Sequence, residues 1–339
     1  MVVVSGNCKK RVLSGIKPTG YAHIGNYFGM IKPAIEMSQN NNYDCFYFIA
    51  DYHALTTLKN KQEMREYLYN IACTWLACGL DPEKVVFYKQ SDIPEVFELN
   101  WILCNVAPKG LLNRAHAYKA VVEENIKTGN DSDYGVNMGL YNYPILMSAD
   151  ILLFDTNLVP VGLDQKQHIE IARDIAQNFN KKYGEVFNMP MEYVDDNCKS
   201  LVGLDGRKMS KSYGNTIKLF GTEEELKKTI NKIVTDSKLP GEPKDINCTI
   251  NTLYKLFVSK QQADDFEERL KAGLGWGDAK KELFEVANKY ISPMREKYNY
   301  FKEHLDEVDK MLKAGANKAK MIAQNCIKRV RLAIGTDDK

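Results

Sequence analysis

Two segments of this 339-residue chain combine residue types suited to one kind of chemistry, the handling of phosphate. The first is Thr19-Gly20-Tyr21-Ala22-His23-Ile24-Gly25-Asn26. Its glycines let a phosphate or a flat base approach the backbone, and His23 and Asn26 can each donate a hydrogen bond to a phosphoryl oxygen. The second is Asp205-Gly206-Arg207-Lys208-Met209-Ser210-Lys211-Ser212-Tyr213-Gly214-Asn215, with three cations in five residues between two glycines. A glycine-flanked loop carrying two lysines can move onto a polyphosphate and neutralise charge as it develops. Either segment alone also reads as an ordinary polar turn, so the elements that carry them matter.

Residues 11–16 read as a strand, broken by Lys17-Pro18-Thr19-Gly20, and an apolar-periodic stretch over 26–37 follows. The run Cys45-Phe46-Tyr47-Phe48-Ile49 has the look of a strand buried on both faces. Residues 61–78 suit a helix stopped by Gly79 and Pro82, and 85–88 read as another buried strand. This β-α-β-α-β succession predicts an α/β fold, a Rossmann-like doubly wound parallel sheet. The first phosphate segment then falls at the carboxyl edge of the sheet, where ligands bind and helix N-termini attract anions. Strands are harder to see between Ser91 and Val161. There, 93–106 and 146–153 read as helical, 127–137 as a mobile loop, and the whole as an inserted connective segment. Residues 164–179 return to a helix, with Asp164 as cap and Ile171, Ala172, Ile175, Ala176 and Phe179 as its apolar stripe.

After about Phe220 only helices are expected. Thr222-Glu223-Glu224-Glu225 matches a capping box, and 253–257, 279–290, 293–304 and 318–334 continue the helical pattern. The expected organisation is a Rossmann-like catalytic domain over 1–220, with its insertion at about 91–161, and an all-helical C-terminal domain over 221–339. Residues 313–331 hold six basic side chains (Lys313, Lys318, Lys320, Lys328, Arg329 and Arg331) and no acidic one.

With 44% hydrophobic, 27% charged and 10% aromatic residues, the chain can bury a large core, which excludes collagen-like, disordered and disulfide-miniprotein classes. Lys plus Arg is 46 against 44 Asp plus Glu, a net charge of +2, so nucleic-acid binding must rest on local patches rather than a global field. Apolar runs such as 85–88 and 145–147 fall far short of the roughly 20 residues that span a bilayer. The start of the chain turns polar and basic after four residues and lacks the apolar core of a signal peptide. Eight cysteines (Cys8, Cys45, Cys73, Cys78, Cys104, Cys198, Cys248 and Cys326) contain no Cys-x-x-Cys pair. That disfavours a zinc ribbon, an iron–sulfur site or a disulfide framework and fits free thiols in a reducing compartment; the expected location is cytoplasmic.

Together the two phosphate segments stop being anonymous. His23-Ile24-Gly25-Asn26 and Lys208-Met209-Ser210-Lys211-Ser212 resemble the two signatures of class I aminoacyl-tRNA synthetases, His-Ile/Leu-Gly-His/Asn and the Lys-Met-Ser-Lys-Ser loop. Tyr143-Pro144-Ile145-Leu146-Met147-Ser148-Ala149-Asp150-Ile151-Leu152-Leu153 looks like the amino-acid pocket helix of tryptophanyl-tRNA synthetases. Val159-Pro160-Val161-Gly162-Leu163-Asp164-Gln165-Lys166-Gln167-His168 resembles that family's next segment, as do Ser14-Gly15-Ile16 and Thr235-Asp236-Ser237 elsewhere. The resemblance runs over nearly the whole chain and is densest between residues 12 and 217.

The resemblance implies an enzyme that activates tryptophan with ATP to tryptophanyl-adenylate and pyrophosphate, then transfers it to the 2′-hydroxyl of the terminal adenosine of tRNA-Trp. His23, Asn26, Lys208 and Lys211 are the implied catalytic grip on the triphosphate, with Mg²⁺ bridging phosphate oxygens and no metal held by the protein alone. Lys17, Thr19, Gly20, Gly25, Met209 and Ser210 would complete the ATP site. Gly162, Asp164 and Gln165 match the family's Gly-x-Asp-Gln stretch, which contacts the ribose and the amino acid's polar end. For tryptophan the implied residues are Gly15, His53, Tyr143, Met147, Asp150, Val159, Val161 and Gln165, with the carboxylate at 150 accepting the indole N–H.

Indole has one donor and no acceptor, so its pocket needs apolar walls and one fixed acceptor. A pocket that hydrogen-bonds its substrate can reject an analogue lacking the group by ~10⁴–10⁵, which excludes phenylalanine but leaves tyrosine to shape. Lys17 departs from the family pattern, since many bacterial members carry glutamine there; Lys119 and Lys127 are candidates for a mobile basic loop near ATP. The implied partners are tRNA-Trp, met at its anticodon by the C-terminal helices with the basic run as backbone-contact face, and a second copy in a homodimer, with no membrane. Two alternatives stay open. The sister enzyme for tyrosine is opposed by the Met147…Asp150 helix and Val159-Pro160-Val161-Gly162. A catalytically silent tRNA- or nucleotide-binding relative is opposed by the presence of His23, Asn26, Lys208 and Lys211.

Overall fold

The computed structural model describes residues 9–162, 166–193 and 201–337; Asp164, Gln165 and the expected Asp164 cap lie outside them, as do Cys8 and Cys198. Strands β1 (Lys10–Ile16), β2 (Tyr43–Ile49), β3 (Val86–Lys89), β4 (Leu158–Pro160) and β5 (Met191–Tyr193) form one parallel sheet in the order β3-β2-β1-β4-β5. The chain runs outward from β1 to β3, then returns to β4 on the other side of β1. That reversal is the switch point at which a doubly wound sheet opens a crevice beyond its strand ends.

The three legible strands bury both faces, as their apolar runs predict. Val12, Cys45, Tyr47, Ile49 and Phe87 enter one core, while Leu13, Phe46, Phe48, Val86 and Tyr88 enter the other. This is the two-residue alternation of a pleated strand read from both sides. Strand β4 lies within the stretch where no strand was legible, because three residues are too few to show a period.

Several helices exceed their expected bounds, while Lys61–Ala77 and Glu95–Cys104 stay within theirs. The stretch expected from residue 26 is already helical at Ile24–Asn26 and passes through a π-helical turn, Tyr27–Ile31, before Lys32–Ser38. Two helices run through proline, which sequence rules treat as a break because it removes an N–H and crowds the preceding turn. Met138–Leu152 contains Pro144, and Trp276–Glu303 contains Pro293, joining the stretches expected separately at 279–290 and 293–304. On both sides of Pro293 the helix buries side chains, Ala287 and Ile291 before it and Tyr298 after it, so packing outweighs the local cost. The helix expected at 318–334 starts at Leu305 and reaches Ile334. A further helix, Lys260–Lys271, opens with a Ser259 capping box that the sequence reading did not single out.

Helix Leu305–Ile334 lies against the edge strand β3. An added Cβ on Gly315 would sit 1.9 Å from the Phe87 carbonyl oxygen, and the neighbouring Ala316, Ala319 and Ala323 are buried. Small residues at that spacing let the helix approach the strand backbone. Two of the six basic residues in this helix are engaged within the chain: Arg329 pairs with Asp155 at 2.6 Å, and Arg331 grips both oxygens of Glu98 at 2.6 Å. Both arginines stay half exposed, so these surface pairs reduce the positive charge the stretch presents without burying it. Among the described residues no helix is long and apolar enough to cross a membrane.

Candidate active site

The two phosphate segments meet although they are far apart in sequence. Ile24 N donates to Ile217 O at 3.0 Å, Leu219 N donates to Ala22 O at 3.0 Å, and His23 pairs antiparallel with Lys218. The strip 217–219 therefore brings the loop before it alongside the first segment. Lys211 Nζ donates to the Thr19 carbonyl at 2.9 Å, close to Gly20. Met209 is buried under the other glycine: a Cβ on Gly25 would lie 3.3 Å from its sulfur and 2.8 Å from His23 Nδ1.

His23 and Asn26 bond each other rather than lying free. Asn26 N donates to His23 Nδ1 at 3.2 Å, and His23 N donates to Asn26 Oδ1 at 3.1 Å, a reciprocal cap on the helix start. This fixes the chemistry of both. With Nδ1 accepting, a neutral imidazole carries its proton on Nε2, and Asn26 keeps its amide N–H₂ as donor. Burial and then the nearby Lys211 charge lower the His23 pKa from 6.5 to about 4, so the ring is neutral at physiological pH. Desolvation also lowers the Lys211 pKa. The result is two neutral donors and one cation at a helix N-terminus, an arrangement suited to anionic oxygens.

The second loop is organised by a residue that sequence reading left without a role. Asn215 is 3% exposed; its Nδ2 donates to Asp205 Oδ1 at 2.7 Å and to Lys208 O at 3.1 Å, and its Oδ1 accepts from Ser210 N at 2.8 Å. Gly203 is pressed against it, since a Cβ there would lie 2.4 Å from the amide. Asp205, held by Asn215 and Arg207, has its pKa lowered to about 2. Ser210 and Ser212 share a hydroxyl bond of 2.8 Å, while the Lys208 side chain is exposed. Lys17 Nζ donates to Thr56 Oγ1 at 3.2 Å, which places it at the end of the short helix Asp51–Ala54. Lys119 pairs with Glu123 at 3.6 Å, and Lys127 closes the helix His116–Lys127.

Beyond β1 and β4, at the switch point, opens a cavity of about 570 Å³. Gly15, Met147, Val159, Val161 and Gly162 line it, together with Met30 and Tyr193. Four of the residues expected around a flat apolar ring thus share one cavity. Tyr143, Met147 and Asp150 lie at helical spacing on Met138–Leu152 and form one stripe. Asp150 is 2% exposed and does not line the cavity wall. His53 Nε2 lies 2.8 Å from Asp150 Oδ2, and Gln90 Nε2 lies 2.9 Å from both carboxylate oxygens. Burial raises the Asp150 pKa, and the His53 and Gln90 hydrogen bonds oppose it. Tyr143 packs edge-on to His53 with centroids 6.3 Å apart, and its hydroxyl bonds His168 Nε2. Asp51 ties this cluster to the end of β3, accepting from Ser91 N at 3.0 Å and Ser91 Oγ at 2.5 Å.

Gln90 and Ser91 follow directly on β3, so the rule that singled out residues 19–26 at a strand's carboxyl edge also pointed to them. The signal for Asn215 was weaker: an amide beside Gly214 in a loop already under suspicion. Gly162 is exposed at the cavity, and the expected contacts of Asp164 and Gln165 fall outside the described residues.

The family model "tRNA synthetases class I (W and Y)" matches residues 7–292. A tryptophan–tRNA ligase of Neisseria meningitidis is 49% identical over 329 residues, covering 96% of this chain and 98% of that one. A Pseudomonas putida protein of the same name is 50% identical over 329 residues, 96% of this chain and 73% of its own length. A crystal structure of tryptophanyl-tRNA synthetase from Campylobacter jejuni, complexed with ADP and tryptophan, superposes with a TM-score of 0.88 at 44% identity, covering 96% and 99% of the two chains.

Proposed function

This chain belongs to the class I tRNA synthetases of the W and Y family, and we propose that it is the ligase that joins tryptophan to its tRNA. Tryptophan's carboxylate attacks the α-phosphorus of ATP in line, pyrophosphate leaves, and the activated amino acid passes to the 2′-hydroxyl of the terminal adenosine of tRNA-Trp. Such a reaction needs no covalent nucleophile from the protein, only positioning and stabilisation of developing charge. His23 Nε2–H, the Asn26 amide and Lys211 supply donors toward the phosphates, and Lys208 joins them when the loop closes. Mg²⁺ bound with the nucleotide would supply further positive charge at the phosphate oxygens, beside the donors of His23, Asn26, Lys208 and Lys211.

Met147, Val159 and Val161 wall the indole, and Asp150 accepts its N–H. The observation that carries the reading is that Lys211 reaches the Thr19 carbonyl beside the neutral His23, while Met147, one turn before the buried and doubly held Asp150 carboxylate, lines the cavity with Val159 and Val161. A phenol O–H could also donate to a carboxylate, so tyrosine is told apart from tryptophan by the shape of the pocket that Met147, Val159 and Val161 wall.

The helices from Thr222 onward serve the anticodon end of the tRNA, with the basic run over 313–331 toward its backbone. Two copies associate through an apolar strip in which Tyr52 packs edge-on to Phe97 at 4.6 Å and Trp101, one turn further, is 71% exposed. The enzyme works in the cytoplasm.

Amino-acid-dependent ATP–pyrophosphate exchange, run across the twenty amino acids, tests the central reading. Exchange with tryptophan alone is the expected result. Exchange with tyrosine would transfer the chain to the sister specificity, and no exchange with any would make it a silent binder.

A further inference from the structure

Asp150 is crowded before any substrate arrives. A carboxylate offers about four lone-pair sites on its two oxygens. Gln90 Nε2, at 2.9 Å from both Oδ1 and Oδ2, bridges the two inner sites. His53 Nε2, at 2.8 Å from Oδ2 alone, takes that oxygen's outer site. What is left is the outer site of Oδ1. Gln90 itself has little freedom: it is fully buried, its Oε1 accepts from His53 N at 3.4 Å, and the next residue, Ser91, is pinned to Asp51 by two bonds. The backbone N–H of His53 also settles which end of the Gln90 amide is oxygen, because only a carbonyl can accept there.

We propose that Gln90 is a positioning residue for substrate selection. It fixes the plane of the Asp150 carboxylate so that the outer lone pair of Oδ1 is the one acceptor presented to the indole N–H. This inference rests on the tryptophan reading above. It is separate from the role of Asp150, since Gln90 acts only through that carboxylate. The titratable groups that face Asp150 are His53 from the helix Asp51–Ala54 and Tyr88 from β3, with Tyr143 of its own helix behind His53.

The test uses the full-length enzyme with tryptophan and with its sulfur analogue, in which the indole N–H is replaced by S. Gln90→Met keeps the length and removes the donor. The expected result is a rise in the tryptophan KM of about 10- to 100-fold, the worth of one buried hydrogen bond to a charged group. The analogue's KM, the ATP KM and kcat should each stay within about two-fold, because none of them uses that acceptor. Gln90→Glu adds a second readout. A protonated glutamic acid can still donate to Asp150, whereas two ionised carboxylates at this distance repel. Its tryptophan KM should therefore climb as pH rises from about 5.5 to 8, while the parent enzyme's stays flat. Equal losses for tryptophan and analogue in Gln90→Met, or a flat profile in Gln90→Glu, would overturn the assignment while leaving the ligase reading intact. A parent enzyme that does not exchange with tryptophan would remove the ligase reading first.

Discussion

Replacing Asn215 with alanine isolates what holds the lysine-bearing loop in its working shape. The side chain makes three hydrogen bonds, to Asp205 Oδ1, to Lys208 O and from Ser210 N. The bond to Asp205 counts for least in the balance, because that carboxylate keeps both the backbone N–H and the guanidinium of Arg207 and lies toward water. The other two join neutral backbone groups of the loop, and each is worth about 0.5–1.5 kcal/mol, so about 1–3 kcal/mol of loop preorganisation is at stake. At 1.4 kcal/mol per tenfold, that is about a 5- to 150-fold fall in kcat/KM for ATP. In the proposed reaction Lys208, Ser210 and Lys211 meet the nucleotide and not the indole, so tryptophan affinity should barely change. The assay is pyrophosphate exchange at saturating tryptophan with ATP varied, paired with tryptophan titration by calorimetry. Gly203→Ala strikes the same amide from the opposite side, since its Cβ would fall 2.4 Å from Asn215, and should reproduce the phenotype. A change of less than about two-fold in ATP kinetics, or an equal loss of tryptophan binding, would refute the claim that Asn215 holds this loop for the nucleotide.

Four further outcomes are expected. Lys211→Ala should cut exchange by about 10²–10³, the usual cost of losing one preorganised charge-stabilising group, with tryptophan affinity nearly intact; parallel loss of both would undercut its role. Asp150→Ala should make phenylalanine an effective competitor in exchange, and unchanged exclusion of phenylalanine would show that the acceptor lies elsewhere. The lowered His23 pKa, from 6.5 to about 4, means that the unfolded chain binds the proton more readily in that window. His23 therefore contributes stability above pH 6.5 that is lost as pH falls toward 4, and a His23→Gln variant should show a shallower acid-side decline in thermal midpoint. Gly315→Ala puts a Cβ 1.9 Å from the Phe87 oxygen. It should destabilise the protein by about 3 kcal/mol or more in denaturant unfolding unless the helix shifts off β3.

How much of this was open to a reader of the sequence varies with the range of the interaction concerned. Strands β2 and β3 were legible as short apolar runs, and β1 because Lys17-Pro18-Thr19-Gly20 ends it, patterns that survive without knowledge of their neighbours. The capping box at Thr222 was legible for the same reason: its two hydrogen bonds close within four residues. The phosphate segments, each an ordinary polar turn by itself, were legible because together they match the two family signatures. Strand β4 was not, since its three residues become a strand only by pairing with β1 on one side and β5 on the other. Pro293 was read as a break because the cost of proline is local, while the burial that offsets it comes from distant helices.

Residue types and spacing by themselves pointed to phosphate chemistry, through an imidazole, an amide and two lysines, while the carboxylate one turn beyond a methionine took its indole role only from the family resemblance. Only tertiary structure decided which of these groups could act, because protonation state and free lone pairs depend on neighbours that sequence distance conceals. His23 is neutral because Lys211 and the protein interior lie against it. Arg329 and Arg331 stay half exposed but share their charge with Asp155 and Glu98, which lie far away along the chain. Asp150 presents one oxygen and not two because Gln90 and His53, from other elements, already hold the rest.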